Sequence, residues 1–260
     1  MMKEVCNFYN NYNYPLVNQY TNRQRKKHLK LISEILSYVN LKLEDLKDKD
    51  VLDAGCGTCD KSILLAKNSC AKITALDFSD GQLDFAKANA NKANVKINFV
   101  KADLINSNLE KLNLGKFDLI ICTGVLHHTE NPKKGFCNLI KLLKPKGKIV
   151  IALYHKYSRL KYRLLRFYIH TFISKDAKAI EEWLMTSKNP LAKKLRKDAK
   201  NALMDRYAVP FESYHTLREV RKWFKENNIK EINHSKNASG IEQLKIFEKK
   251  TLFFVGGIKQ

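Results

Sequence analysis

Residues 51–59, Val-Leu-Asp-Ala-Gly-Cys-Gly-Thr-Cys, join a short apolar run to a turn that contains two glycines. The run Val51–Ala54 is typical of a buried strand, and Ser62–Lys67 beyond the turn is predicted to be helical. Gly55 and Gly57 let the backbone turn sharply and approach a ligand closely. The order strand, turn, helix therefore predicts the first unit of an α/β sheet, with a nucleotide site at its carboxyl edge.

Strand and helix patterns alternate through the next hundred residues. Further strands are predicted at Lys72–Asp77, Ile97–Lys101, Phe117–Thr123 and Lys148–Leu153. One helix is predicted from its N-cap Asp80 to about Asn94, and another opens at Asn131-Pro132 and closes before Lys144-Pro145-Lys146-Gly147. Repeated βα units of this length predict a doubly wound, mostly parallel, Rossmann-like sheet with helices on both faces.

The alternation stops after Leu153. Only helical patterns follow in the next segment, at about 157–173, 176–186 and 190–204. A helix at Thr216–Asn227 and strands at Ile229–His234 and Thr251–Val255 then complete a seven-stranded sheet. The predicted organisation is an N-terminal helical or lid segment, a nucleotide-binding core, a helical cap inserted after the fifth strand, and a closing helix with two strands; these span 1–45, 46–154, 155–215 and 216–260.

The charge of the 260-residue chain is strongly positive, with 48 Lys and Arg against 26 Asp and Glu, or +22. Residues 155–206 carry 14 basic and 5 acidic side chains, a net charge of 14 − 5 = +9. A Lys-rich solvated surface is the plain interpretation, and a polyanionic partner such as RNA is the sharper one. The N-terminal sequence has no apolar signal region, and no run is long enough to span a membrane. We therefore expect a cytoplasmic protein, for which a peripheral membrane role stays open.

Three carboxylates fall at the ends of three successive predicted strands: Asp53, Asp77 and Asp103. The carboxyl ends of parallel strands line one crevice, so these side chains are expected to lie together. A pyrophosphate would be repelled there, and position 60 is Asp where a dinucleotide motif has a third glycine. The pattern predicts a pocket for a nucleoside without a phosphate.

The runs VLDAGCGT, LDFS, KADL, FDLIICTGVLHHTENP and LLKPKGKIVIALY, in this order, resemble the class I S-adenosylmethionine-dependent methyltransferases over roughly residues 50–155. The resemblance implies S-adenosylmethionine as the cofactor. It also implies a set of cofactor-binding residues: Asp53, Gly55, Cys56 and Gly57 at the methionine end, Asp77 on the ribose, Phe78 on the adenine, Asp103 and Leu104 at the adenine amino edge, and the Cys122 carbonyl facing the methionine moiety.

One position departs from the family pattern, because the third glycine of the loop is Cys59. Its Cβ is expected to narrow the pocket or to change the flexibility of the loop. An alternative interpretation of Cys56-x-x-Cys59 is a redox motif, which the positions of Asp77 and Asp103 do not fit. No second cysteine pair or His pair has metal-ligand spacing, so no metal site is predicted.

The acceptor site is predicted beside the fourth strand, where His127 and His128 follow the loop. The loop lacks the N/D-P-P-Y/F sequence that the resemblance would associate with amine or amide methylation. A histidine with a near-neutral pKa can act as the base. At least one of the pair, more readily His128, is expected to cap the following turn instead. The sequence leaves open which histidine, if either, is catalytic.

Basic residues recur at helical spacing beyond the fifth strand: Lys156, Arg159, Arg163 and Arg166. Arg159 and Arg163 are predicted to bind an anionic acceptor, although a solvated basic face explains the same pattern. Tyr154, Tyr14 and Tyr20 are further candidate substrate contacts. The expected function is O- or C-methylation of a small anionic or hydroxylated metabolite. The alternatives are an RNA, especially tRNA, methyltransferase and a non-catalytic binding module, against which the intact carboxylates argue.

Overall fold

The computed structural model describes residues 2–12, 21–198, 200–238 and 252–260. Its seven strands are β1 Asp50–Ala54, β2 Lys72–Asp77, β3 Asn98–Lys101, β4 Phe117–Thr123, β5 Leu143–Tyr154, β6 Ile229–His234 and β7 Leu252–Lys259. They form one sheet in the order β3-β2-β1-β4-β5-β7-β6. Strands β1 to β5 are parallel, whereas β7 runs antiparallel to both β5 and β6. The predicted mostly parallel, doubly wound sheet is confirmed.

Helices cover both faces of the sheet and bury its apolar side chains. They are α1 Met2–Asn11, α2 Asn22–Ser37, α3 Asp60–Ser69, α4 Asp80–Ala93, α5 Pro132–Lys141 and α10 Leu217–Glu226. On one face, Phe136 of α5 stacks on Phe224 of α10 with ring centroids 5.3 Å apart. On the other, Ile32 and Leu36 of α2 pack with Leu65 of α3. Burial on both faces explains the unbroken apolar run Leu119–Cys122 in β4.

Capping residues set most helix boundaries close to the predicted ones. Asn131 accepts from Lys134 N at the start of α5, with Pro132 in the first turn. The prediction that Asp80 caps α4 is wrong, because Ser79 Oγ accepts from Gln82 N and Asp80 is the first helical residue. Serine and aspartate are both good N-caps, so adjacent ones cannot be ranked from composition.

Several predicted boundaries differ from the structure. The last strand, predicted at Thr251–Val255, is observed as β7 over Leu252–Lys259. Strand β5 begins at Leu143 rather than Lys148, since Lys146 takes a left-handed φ of 60° and the ladder with β4 shifts register instead of ending. The single helix predicted at 190–204 is two helices, α8 Pro190–Leu195 and α9 Lys200–Tyr207. Arg196, just past α8, donates to the carbonyls of Leu184 and Ser187, a tertiary contact that helix propensity does not encode.

The inserted segment adds α6 Leu160–Phe172, α7 Ala177–Thr186, α8 and α9 beside the carboxyl edge of the sheet. Their shared core includes Ile169, Ile180, Leu184, Met204 and Tyr207, together with Phe8 of α1. Ser213 N donates to the His127 carbonyl (2.7 Å), and His215 N donates to the Tyr154 carbonyl (2.9 Å). These contacts fix the insertion and α1 next to the ends of β4 and β5. No helix in the described part of the chain has the length and apolar character of a membrane span.

Candidate active site

A cavity of about 470 Å³ lies at the carboxyl ends of the parallel strands, within the ~300–1,000 Å³ usual for small-molecule sites. Strand-end loops line part of it, and helices α1, α2, α3, α4 and α9 contribute further lining residues. Of the predicted site residues it is lined by Gly55, Cys56, Gly57, Asp77, Phe78, Asp103, Leu104, His128 and Tyr154. The lining residues that were not predicted from sequence include Tyr9, Lys61, Gln82, Thr123 and Asp205.

The glycine turn after β1 is held tightly in place. Gly55 has a left-handed φ of 77°, and a Cβ there would lie 2.3 Å from a methyl carbon of Val125. Its N–H donates to the Leu76 carbonyl (2.7 Å). Gly57, with φ of 55°, donates its N–H to Asp77 Oδ2 (2.8 Å). Only glycine satisfies both the conformation and the close approach at position 55.

Asp77 and Asp103 present their carboxylates to the cavity in fixed orientations. Asp77 accepts from the N–H groups of Gly57 and Ser79, and burial raises its pKa while those hydrogen bonds oppose the rise. Asp103 accepts from Ile105 N (2.7 Å) and from the Asn106 amide (2.8 Å). Each carboxylate oxygen keeps a further acceptor site for a ligand hydroxyl or amine.

Asp53 is not a lining residue, although the family resemblance implies that it binds the methionine end of the cofactor. It is fully buried, accepts from Ser62 Oγ (2.7 Å) and lies 3.3 Å from Lys61 Nζ. Burial lowers the pKa of Lys61, but the Asp53 carboxylate raises it above its usual value. Lys61 also donates to Thr123 Oγ1 (3.0 Å) and lines the cavity, so a fixed cation stands where the sequence predicted an anion.

Cys122 is also fully buried, within β4, and the cavity wall at this strand end is formed by Thr123 and Gly124. The expectation that Cys59 narrows the cavity is not met, because its buried side chain packs with Ile63 and is not part of the lining. Cys59 is the left-handed residue, φ 70°, that precedes α3. A hydrogen bond with Cys59, together with burial, raises the pKa of Cys56 well above its usual value, which disfavours the thiolate a redox motif needs.

The two histidines have the opposite environments to those expected, because His128 lines the cavity and His127 is buried beside it. His128 Nδ1 lies 2.9 Å from the Phe211 carbonyl, which only accepts, so this nitrogen carries a proton. In the neutral ring Nε2 is then an acceptor, and it lies 3.7 Å from Asp205 Oδ1 at the cavity. His127 instead is fully buried and stacks on Tyr154 with centroids 3.6 Å apart. Burial, reinforced by nearby His128 and Arg159, holds the pKa of His127 well below its usual value.

Asp205 joins two hydroxyls at the same end of the cavity. Tyr9 Oη donates to Asp205 Oδ1 (2.8 Å), and Tyr154 Oη donates to Oδ2 (2.8 Å). Burial and the Asp205 carboxylate raise the pKa of Tyr154 well above its usual value, so its phenol stays a donor. Sequence reasoning missed Tyr9 and Asp205, since they come from α1 and α9 and no local motif marks either one.

Arg159 and Arg163 do not line the cavity. The fully buried Arg159 guanidinium lies 3.5 Å from the Tyr154 ring centroid and donates to Glu212 Oε2 (3.0 Å). The Arg163 guanidinium lies over Tyr214, 4.7 Å from its centroid. Their predicted contact with an acceptor anion thus finds no support in their positions. Tyr14 and Tyr20 lie outside the described residues.

Residues 45–228, most of the chain, match a family model described as a methyltransferase domain. The chain belongs to the class I S-adenosylmethionine-dependent methyltransferases. Two curated relatives are each named ubiquinone biosynthesis O-methyltransferase. The protein of Rickettsia bellii (strain OSU 85-389) is 35% identical over 126 residues, 47% of either chain. That of Coxiella burnetii (strain Dugway 5J108-111) is 33% identical over 129 residues, 49% of this chain and 53% of the relative. This methyltransferase therefore spans about half the length of the curated relatives it matches.

Solved methyltransferase structures share the fold at low sequence identity. The magnesium protoporphyrin IX methyltransferase ChlM of Synechocystis PCC 6803, with bound SAH, aligns with a TM-score of 0.56 and 16% identity over 100% of this chain and 94% of its own. PKMT2 from Rickettsia typhi aligns with a TM-score of 0.60 and 16% identity over 94% of this chain and 53% of its own. At such identities the likeness shows the fold alone.

The cofactor of this methyltransferase is S-adenosylmethionine, and the cavity chemistry fits it. A nucleoside offers hydroxyls and an exocyclic amine, which suit the acceptor oxygens of Asp77 and Asp103. The amino acid end carries a carboxylate, which suits Lys61. Gly57 adds no side chain at the turn, and a Cβ there would have its nearest heavy-atom contact at 3.8 Å. The lining offers no cluster of cations for a phosphate, as its Lys and Arg side chains in the described chain are limited to Lys61.

Proposed function

We propose that the chain O-methylates a small hydroxylated acceptor, with His128 as the general base. The observation that carries this proposal is the orientation of the His128 ring. The Phe211 carbonyl holds its Nδ1 proton, which leaves Nε2 as a proton acceptor at the cavity. Fixing one tautomer by a hydrogen bond to the far nitrogen is how proteins prepare a histidine for proton transfer.

Within this proposal, the cofactor supplies an electrophilic methyl group on a sulfonium. Asp77 would hold the ribose hydroxyls, and Asp103 with the Leu104 backbone would hold the adenine edge. Phe78 would pack on the adenine ring. Lys61 would pair with the carboxylate at the methionine end, while Asp53 positions Lys61 from behind. The three charged side chains that meet the cofactor are each oriented by hydrogen bonds or an ion pair within the protein.

The acceptor hydroxyl would lie against His128 Nε2, which would take its proton during methyl transfer, with S-adenosylhomocysteine as the leaving group. The Asp205 carboxylate, 3.7 Å away, stabilises the imidazolium that results. Tyr9 and Tyr154 hold Asp205 through its two oxygens. General-base catalysis of this kind typically contributes ~10²–10⁴ in rate.

A hydroxylated acceptor is supported over an anionic one by the charges at this end of the cavity. Asp205 lines it, whereas the nearby guanidinium of Arg159 is paired with Glu212 beneath Tyr154. An anion would approach a carboxylate there without a cation to compensate. The O-methyltransferase names of two relatives agree with a hydroxyl acceptor, over the half of the chain that they match.

The test is an assay of methyl transfer to a panel of small phenols and catechols, in which the release of S-adenosylhomocysteine is measured. On any acceptor that turns over, His128→Ala should lose roughly 10²–10⁴ in kcat while cofactor affinity is kept. His127→Phe, which preserves the stacking on Tyr154, is the matched control and should stay within a few-fold of wild type. Full activity of His128→Ala would overturn the assignment of the base.

A further inference from the structure

Helix α6 carries an exposed apolar stripe. Its members recur at i, i+4, i+7, i+8 and i+12: Leu160 (39% exposed), Leu164 (62%), Phe167 (67%), Tyr168 (37%) and Phe172 (68%). This spacing places them on one side of the helix. The other large exposed apolar side chains of the described chain, Leu31, Phe85, Leu112 and Tyr157, form no comparable run along a helix. A contiguous patch of this kind marks an interaction surface, whereas single residues need no explanation.

The opposite side of α6 is anchored in the insertion. Ile169 is fully buried in the core of the helical cap, and Tyr162 and Leu165 pack against that core. The His170 ring lies 2.7 Å from the Tyr207 carbonyl of α9. The helix is thus fixed through its inner face, and the stripe is a second apolar face on the outside.

The charged residues of the segment that carries the stripe are all basic. Residues 155–175 contain six Lys and Arg and no Asp or Glu. The arginines among them are turned inward, where Arg159 and Arg166 approach Glu212 and Arg163 lies on the Tyr214 ring. Three lysines remain exposed around α6: Lys156, Lys161 and Lys175. The outer surface therefore combines apolar side chains with ammonium groups.

We propose that this face docks on an anionic phospholipid bilayer. An amphipathic basic helix lies in the plane of a membrane, with its apolar side chains at the boundary between headgroups and acyl chains. Lysines near such a surface gain from the negative potential of anionic lipids. The described helices include no membrane span, so the association is peripheral.

The same observations disfavour two other occupants. A second copy of this chain would bring Lys156, Lys161 and Lys175 against their own duplicates, without an acid within 155–175 to pair them. RNA would be met best by arginines at the surface, because guanidinium pairs with phosphate in bidentate fashion. Here Arg159 and Arg166 are committed to Glu212. The aliphatic side chains of Leu160 and Leu164 also suit acyl chains better than bases.

The test is sedimentation of the full chain with vesicles of phosphatidylcholine, with and without one third phosphatidylglycerol. Wild type should bind the anionic vesicles at least ten-fold better, and binding should weaken as salt rises. Phe167→Gln with Phe172→Gln should lower the vesicle partition at least ten-fold, and Lys161→Glu should lower it several-fold. Phe85→Gln, an exposed phenylalanine on α4, is the matched control and should change nothing. Unchanged thermal melts would show that all variants are folded.

Three results would overturn the proposal. Wild type that does not sediment with anionic vesicles has no such surface. A loss as large in Phe85→Gln as in the α6 variant would place the binding elsewhere. The third result concerns another partner, namely a dimer seen by light scattering or tRNA binding seen by a gel shift. If Phe167→Gln with Phe172→Gln abolished either one and left vesicle binding unchanged, the face would be assigned to that partner instead.

Discussion

His128 Nε2 lies 3.7 Å from Asp205 Oδ1, across 77 positions of sequence (205 − 128). His128 follows the fourth strand of the sheet, and Asp205 belongs to α9 of the inserted cap. The insertion therefore contributes a charged group to the cavity as well as covering it. The proposed chemistry depends on this pairing of a core residue with a cap residue.

Asp205→Asn should lower kcat by about ten- to a hundred-fold, because a charge-assisted contact of ~1.5–3 kcal/mol with the imidazolium is lost. Affinity for S-adenosylhomocysteine should change by less than a few-fold. Steady-state kinetics and calorimetry measure the two quantities separately. Asp198→Asn, an exposed acid in the same insertion that pairs with Arg206, is the control. Equal effects of the two substitutions would remove Asp205 from the mechanism.

Asp77→Ala should weaken S-adenosylhomocysteine binding by roughly 2–3 kcal/mol through loss of charge-assisted hydrogen bonds to the ribose. Calorimetric titration gives this difference directly. Asp80→Ala removes an exposed acid three residues away, which pairs with Lys101, and should leave the affinity unchanged. Unaltered binding by Asp77→Ala would contradict the ribose assignment.

Lys61→Met should weaken the binding of S-adenosylhomocysteine about ten- to a hundred-fold, which corresponds to the ~1.5–3 kcal/mol of a charged hydrogen bond. The substitution should hardly affect the binding of 5′-methylthioadenosine, which lacks the carboxylate. Since the substitution also strands the Asp53 charge, it is made together with Asp53→Asn. Competition binding with the two ligands provides the comparison. A parallel loss for both ligands would mean that Lys61 only shapes the loop.

How much of the fold the sequence predicts depends on how local the signal is. Strands β2, β4 and β6 were predicted at their observed bounds, because apolar residues and flanking turn residues lie within the segment itself. Helix α1 was not predicted, because Val5 and Phe8 are buried by contacts with other parts of the chain. Its N-terminal position and Asn-rich composition gave no helical pattern.

The residues of the site also fall into those that local sequence predicts and those that depend on tertiary contacts. Gly55, Gly57, Asp77 and Asp103 could be found because each lies at the end of a strand or within a few residues after it. The burial of the Arg159 side chain could not be predicted, because its partner Glu212 lies 53 positions away and only the packed cap brings the two together. His127 and His128 are the same residue type at adjacent positions, so composition alone could not assign their opposite environments.

Burial of neutral His127 predicts acid sensitivity. Its pKa is lowered by folding, so below about pH 6.5, the unfolded value, the unfolded chain binds more protons than the folded one. Stability is present above that pH and falls below it by up to ~1.4 kcal/mol per pH unit for this one group. His127→Phe should therefore flatten the decline of the melting temperature between pH 7 and 5. Part of the decline should remain in the variant, because burial also lowers the pKa values of His155 and His170. An identical pH profile for the variant would show that His127 is not the responsible group.

The proposed chemistry requires that the cavity hold the methyl donor with its reacting end at His128. A crystal structure of the chain with S-adenosylhomocysteine tests this most directly. We expect the ribose hydroxyls on Asp77, the carboxylate on Lys61, and the sulfur facing the side of the cavity formed by His128 and Asp205. A ligand bound elsewhere, or one whose sulfur is directed away from His128, would contradict it.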